Sequence, residues 1–152
     1  MEKRKQLSVS AIKNGTVIDH IPAKHLFKVI SILGLETFDH QITFGTNFES
    51  HKLGLKAIIK VADKYFSEDD VNRIALVAPV AKLNIIKDYE VVEKYALKVP
   101  KEISGIVKCV NPQCITNHEK VTTKFVIIMK PEVALKCHYC EKITDQEQME
   151  IQ

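Results

Sequence analysis

Four cysteines, all in the last third of a 152-residue chain, limit what it can fold into more than any other feature. They stand as a C-x4-C pair, Cys109 and Cys114, and a C-x2-C pair, Cys137 and Cys140, with twenty-two residues between the pairs. Close spacing lets each tight turn present two sulfurs to one ion, and four thiolates meet the tetrahedral preference of Zn²⁺. Asn111-Pro112 suits a turn of that kind. Disulfides compete poorly: the start, MEKRKQLSVSAIKNG, is basic but has no apolar stretch after it, so no secretory signal is expected and the chain reads as intracellular. A redox pair at Cys137 and Cys140 would leave the other two cysteines without a role. An iron–sulfur cluster also takes four cysteines, but an apolar shell for one is less evident. The reading is a structural zinc, one per chain, with no position left open for substrate. His118 and His138 flank the cysteines and are expected to be solvated surface side chains.

Charge narrows the partners. The chain carries 22 Lys+Arg against 19 Asp+Glu, a formal net charge of +3. Residues 99–152 hold seven lysines and seven acidic residues, so the excess belongs to residues 1–98. Four thiolates around one Zn²⁺ would make the cysteine segment net negative, which suits nucleic acid badly. A zinc-ribbon module for nucleic acid or a transcription complex is therefore the second reading. Hydrophobic residues at 45% and charged residues at 27% exclude a disordered chain. No apolar run approaches the ~20 residues that span a bilayer.

Residues 97–105 contain Pro100 and Gly105 and no clear period, which reads as a connection between two domains, 1–98 and 99–152. Before it, strand and helix signals alternate. Leu7, Val9 and Ala11 repeat at period two, closed by a turn at residues 13–15. Leu26, Phe27, Ile30 and Leu33 are placed on one helical stripe that Gly34 stops. Residues 41–48 and 56–62 read as strands. Ser67 is expected to cap a helix with three acids at its positive end, burying Val71, Ile74, Ala75 and Ala78. Residues 83–86 and 89–92 form a hairpin around Lys87 and Asp88. The order matches an α+β sandwich, β-α-β-β-α-β or ferredoxin-like, with two helices on one sheet face. Residues 103–108, 121–129 and 134–136 read as strands of a small all-β domain. A segment of about 50 residues with so few large apolar side chains usually needs a staple, and the metal supplies it.

No P-loop, GxGxxG, GxSxG or HExxH is present, and no nucleophile–base pair can be named, so an enzyme is not expected. Asp19-His20 as an isolated dyad reads more readily as a loop pair than as an acid–base unit. Lys56 and Lys60 lie four apart on an apolar strand, so both project from one sheet face. Two ammonium groups held there repel unless an anionic ligand or a carboxylate lies nearby. Lys94 could be a solvated charge, while Asn84 and Tyr89 could offer an amide and an aromatic edge to a base. The residues alone reach a possible anionic-ligand site.

Residues 11–22 (AIKNGTVIDHIP), 56–60 (KAIIK), 84–92 (NIIKDYEVV) and the two cysteine pairs together resemble the regulatory chain of aspartate carbamoyltransferase, from about Leu7 to Lys142. The resemblance implies a chain without activity of its own, cytoplasmic, acting in pyrimidine biosynthesis. It implies an N-terminal allosteric domain for nucleoside triphosphates, CTP inhibiting, ATP activating and UTP assisting CTP. It further implies a zinc domain that docks on the catalytic chain, and regulatory dimers, three of which link two catalytic trimers. Base and ribose would meet Val9, Ala11, Ile12, Val17, Asp19, Lys60, Asn84, Ile86, Tyr89 and Val91. The triphosphate would meet His20, Lys94 and Lys56.

Overall fold

The computed structural model describes residues 11–129 and 132–152. The chain divides into two compact units, Met1–Lys98 and Val99–Gln152. In the first, β1 (Gly15–Pro22) leads to α1 (Leu26–Leu33), then β2 (Ile42–Ser50), β3 (Gly54–Ala62), α2 (Glu68–Ile74), β4 (Lys82–Lys87) and β5 (Glu90–Ala96). The sheet runs β2-β3-β1-β4-β5, with antiparallel neighbours throughout. This is the expected β-α-β-β-α-β order with one further edge strand.

One face of the sheet is the core. Ile18 stands opposite Ile59 on one side and Leu83 on the other, and all three are fully buried. Leu26, Val29 and Leu33 of α1 and Val71 and Ile74 of α2 are buried with them, as the i, i+3, i+7 spacing of α1 demands. Phe27 is not on that stripe. It is 69% exposed, because its position is turned about 100° from Leu26, and it meets Phe44 of β2 edge-on at 6.2 Å. Gly34 ends α1 in the left-handed region at φ 64, the conformation a side chain resists. Ser67 caps α2 by accepting the Asp70 amide at 3.2 Å, and Ala75 and Ala78 are buried beyond its last turn.

Three local expectations change. The strand expected over Leu7, Val9 and Ala11 lies mostly outside the described residues; Ala11 itself is in irregular backbone. Asp19 and His20, expected as a loop pair, lie instead within the first strand, which runs from Gly15 to Pro22. The hairpin turn is made by Asp88 and Tyr89, at φ 51 and 66, so Tyr89 lies in the turn and not in β5. Two consecutive left-handed residues match the twist of a tight hairpin.

The second unit holds β6 (Glu102–Ser104), β7 (Val107–Lys108), β8 (Lys124–Met129), β9 (Val133–Cys137), β10 (Ile143–Asp145) and β11 (Glu150–Ile151). They form a β10-β9-β8-β6 sheet and a β11-β7 pair. The strand expected over 103–108 is broken at Gly105, φ 72, and its halves join different sheets. The expected strand 121–129 begins only at Lys124, and β10 and β11 were not foreseen, each being too short to show a period. Phe125 and Leu135, fully buried, are the largest core side chains of this unit.

Candidate functional site

Strand register gathers the first site. Lys60 of β3 stands opposite Val17 of β1, Val17 opposite Asn84 of β4, and Asn84 opposite Lys94 of β5. Directly paired residues share a face, so four strands contribute one row on the face away from the helices. One step along, Asp19 is paired with Lys82, and Lys82 with Ala96. One step the other way, Ile86 faces Gly15 and Val91. The face thus has an apolar end, Val17, Ile86 and Val91, and a charged end.

Asp19 and His20 owe their placement to a β-bulge. Between Ile18 and Ile21 the pairing with β3 slips, so two residues of β1 oppose one of β3, and His20 takes φ 60. The Asp19 carboxylate accepts the His20 amide at 2.6 Å and holds Lys56 Nζ at 3.0 Å. Here is the carboxylate that the Lys56–Lys60 pair requires. Burial lowers the Lys60 pKa from its ordinary value, and Asp19 opposes that shift. Burial also lowers that of His20, the Lys56, Lys82 and Lys52 charges adding to the effect and Asp19 opposing it. His20 Nδ1 lies 3.5 Å from Asp19 Oδ2 and is buried with no hydrogen-bond partner among the described residues.

A cavity of about 360 Å³ opens at the charged end, lined by Asp19, His20, Lys82, Asn84, Lys94, Tyr95 and Ala96. It unites four of the residues named from sequence. Lys56 and Lys60 stand on the same face outside its lining. At the apolar end, Ala11 and Ile12 lead into a segment bound to the hairpin turn: Tyr89 N–H donates to the Lys13 carbonyl at 2.9 Å and Asp88 N–H to Asn14 Oδ1 at 3.1 Å. Tyr89 is 67% exposed on that turn. Val9 lies outside the described residues. Lys82 was missed by sequence reasoning, although the alternation of Lys82, Asn84 and Ile86 along β4 would have found it.

The second site is the cysteine cluster. The sulfurs of Cys109, Cys114, Cys137 and Cys140 all lie within 4.8 Å of one another. Cys109 and Cys140 are 3.6 Å apart and Cys114 and Cys137 3.7 Å. A tetrahedron with metal–sulfur bonds of about 2.3 Å has edges of about 3.8 Å, so the spacing fits one zinc and not a pair of disulfides. Each pair sits in a folded turn. Cys114 N–H donates to the Asn111 carbonyl at 3.0 Å, Gln113 N–H to Asn111 Oδ1 at 3.0 Å, and Glu141 N–H to the Cys137 carbonyl at 3.0 Å. Asn117 locks the first turn by donating from Nδ2 to the carbonyls of Cys109 and Asn111.

Without a cation this sulfur set is electrostatically unsettled. Burial pushes Cys109 up to about 12 and raises Cys137 as well, despite amide hydrogens of Asn111 and of Cys140 and Tyr139 that favour their thiolates. Burial also acts to raise Cys140, but hydrogen bonds from the Asn111 side chain, the Lys142 amide and the neighbouring thiols outweigh it and leave it at about 7. A divalent cation is what lets all four ionise together. His118 and His138 are exposed and outside the cluster.

Sheet, helices and four-cysteine cluster define a two-unit protein: a small α+β fold followed by a β-rich metal-binding module. Comparison with known proteins gives the class its family. Residues 7–98 match the family model "Aspartate carbamoyltransferase regulatory chain, allosteric domain", and residues 101–150 match the corresponding "metal binding domain". The chain is 55% identical over 146 residues to an aspartate carbamoyltransferase regulatory chain of Parabacteroides distasonis, covering 96% of this chain and 95% of that one. It is 56% identical to that of Phocaeicola vulgatus, covering 96% and 94%. It is 53% identical to that of Pyrococcus horikoshii, covering 95% and 96%. The chain belongs to the aspartate carbamoyltransferase regulatory chain family. It is a regulatory, non-catalytic chain whose partner is a catalytic chain, and its four-cysteine cluster is consistent with a structural zinc. Among the described residues no helix is long and apolar enough to cross a membrane.

Proposed function

We propose that the first unit binds nucleoside triphosphates on the open sheet face and that the second docks on the catalytic chain. The observation that carries this is the row Lys60, Val17, Asn84, Lys94, flanked along the strands by apolar Ile86 and Val91 on one side and by the cavity with Asp19, His20 and Lys82 on the other. A base lies against the apolar end, with edge contacts from residues 9–12 and 86–89 and the Tyr89 ring beside it. The ribose hydroxyls meet Asp19 and Lys60, and the phosphates run toward His20 and Lys94, which bind them through charge-assisted hydrogen bonds. CTP and ATP are the effectors, with UTP assisting CTP. Regulatory chains pair through their first units, and three such dimers link two catalytic trimers in the cytoplasm.

Linkage governs how the effectors act: a nucleotide shifts the enzyme only by as much as it prefers one quaternary state over the other. Calorimetric titration of the full chain with CTP, ATP and UTP tests the site. Co-purification with the catalytic chain, followed by the mass of the complex, tests the assembly. Absence of heat with every nucleotide would remove the effector reading, and recovery of this chain without a catalytic trimer would remove the assembly.

A further inference from the structure

We infer that Lys82 is the residue that makes the nucleotide site respond to the length of the phosphate tail. The inference rests on the effector reading above and adds a residue that reading does not contain. Lys82 opens β4 on the same face as Asn84 and Ile86 and lines the charged cavity together with His20 and Lys94.

Its neighbours leave its charge unspent. Across one strand boundary it faces Asp19, whose carboxylate is already engaged by Lys56 at 3.0 Å and by the His20 amide at 2.6 Å. Across the other it faces Ala96, whose side chain has no polar atom to offer. Lys82 makes no ion pair with any described residue, and neither does Lys94. Two ammonium groups without an ion pair among the described residues therefore line one cavity whose single carboxylate is occupied. The field of Lys82 also reaches His20, where it adds to the lowering of the imidazole pKa by burial.

Sequence reasoning gave that phosphate role to Lys56, but Lys56 is held against Asp19 and lies outside the cavity lining. Lys82 takes its place. Asn84 lies between Lys82 and Ile86 in the β4 alternation, so Lys82 is one step farther from the apolar end than the row that carries Lys94. A ligand whose base rests on Val17 and Ile86 reaches Lys94 before it reaches Lys82. A short tail stops at Lys94; a long one extends to Lys82, exchanging a solvated ammonium for a paired one.

The test is titration of the full-length chain with CMP, CDP and CTP, comparing wild type with Lys82→Gln and Lys82→Arg. For wild type, affinity should rise with each added phosphate. Lys82→Gln should lose about tenfold for CTP and less than about twofold for CMP, compressing the tri-to-monophosphate ratio. Lys82→Arg keeps the charge and should restore that ratio. Lys82 is exposed, so the variant is expected to fold, and an unchanged thermal transition verifies it. Equal losses for all three nucleotides, or CTP affinity unchanged in Lys82→Gln, would overturn the inference while leaving the effector site standing. No binding of any nucleotide by wild type would instead remove the effector reading itself.

Discussion

Lys56 Nζ lies 3.0 Å from Asp19 Oδ1, joining β3 to the bulge of β1 where the register slips between Ile18 and Ile21. Both side chains are about four-fifths buried, at 19% and 23% exposure, so this is a partly desolvated pair and not a surface ornament. It fixes one carboxylate beside two ammonium groups of the open face, Lys56 and Lys60, and beside the His20 imidazole, and thereby sets what charge the site can accept.

Asp19→Asn removes the counter-charge that holds Lys56. The first unit should lose roughly 1–3 kcal/mol, the cost of stranding a partly buried charge. Asp19 is also the group that opposes the lowering of the His20 pKa, so that pKa should fall further. Denaturant melts and an NMR titration of the His20 ring protons read the two effects separately; an unchanged ring titration would show that Asp19 does not act on His20.

Lys60→Ala should weaken CTP and ATP binding about ten- to a hundredfold, the loss of a charge-assisted contact worth roughly 1.5–3 kcal/mol. Zinc content and assembly with the catalytic chain should stay at wild-type levels, because Lys60 belongs to the first unit and the cysteines to the second. Calorimetry, metal analysis and gel filtration of the reconstituted complex check the three parts, together with loss of the effector response in aspartate saturation curves.

The pH dependence follows from His20. In the folded chain its pKa lies below the ordinary 6.5, so between that value and the folded one the unfolded chain binds a proton that the folded chain resists. That contribution to stability is present above pH 6.5 and is lost as pH falls through and below it. A bound triphosphate reverses the sign, because phosphate favours the imidazolium. Binding should therefore tighten as pH falls toward 6 and take up protons, measured as buffer-dependent heats. His20→Gln should abolish that part of the uptake.

Cys114→Ser, or removal of the metal by a chelator, should unfold the second unit and spare the first. Cys114 is 1% exposed and within 4.8 Å of the other three sulfurs, so its loss opens the tetrahedron. Apparent zinc energies of about 10–16 kcal/mol exceed what so small a core supplies. Amide spectra should show residues 99–152 collapsed to random-coil shifts, with the first-unit resonances still dispersed; a dispersed second unit in metal-free protein would refute this.

Gly15→Ala should damage the allosteric fold severely, by more than about 2 kcal/mol. Gly15 has φ 140, and a Cβ there would run into the Val61 carbonyl oxygen of the strand it pairs with. Loss of soluble expression or a thermal transition many degrees lower checks it.

Spacing along the chain was enough wherever the interacting groups are near neighbours in sequence. Each cysteine pair sits in one short turn, so its two sulfurs and its turn former, Asn111, can be read directly. The same holds for Ser67, which meets an amide three residues on, and for Gly34, whose φ of 64 is a local property. The element order of the first unit was legible because period two and period 3.6 leave different apolar patterns. Short strands such as β10 and β11 span too few residues for a period to appear. Exposure of Phe27 was also hidden, since adjacent apolar residues Leu26 and Phe27 do not reveal which one the sheet will cover. The nucleotide face was decided only by tertiary structure. Lys60, Asn84 and Lys94 become neighbours through antiparallel register between strands far apart in the chain. A single bulge then turns Asp19 toward Lys56, and Lys82, between Asp19 and Ala96 in register, has no ion pair among the described residues. A shift of one residue in any of those pairings would send the same side chains to the opposite face, and no local pattern encodes that choice.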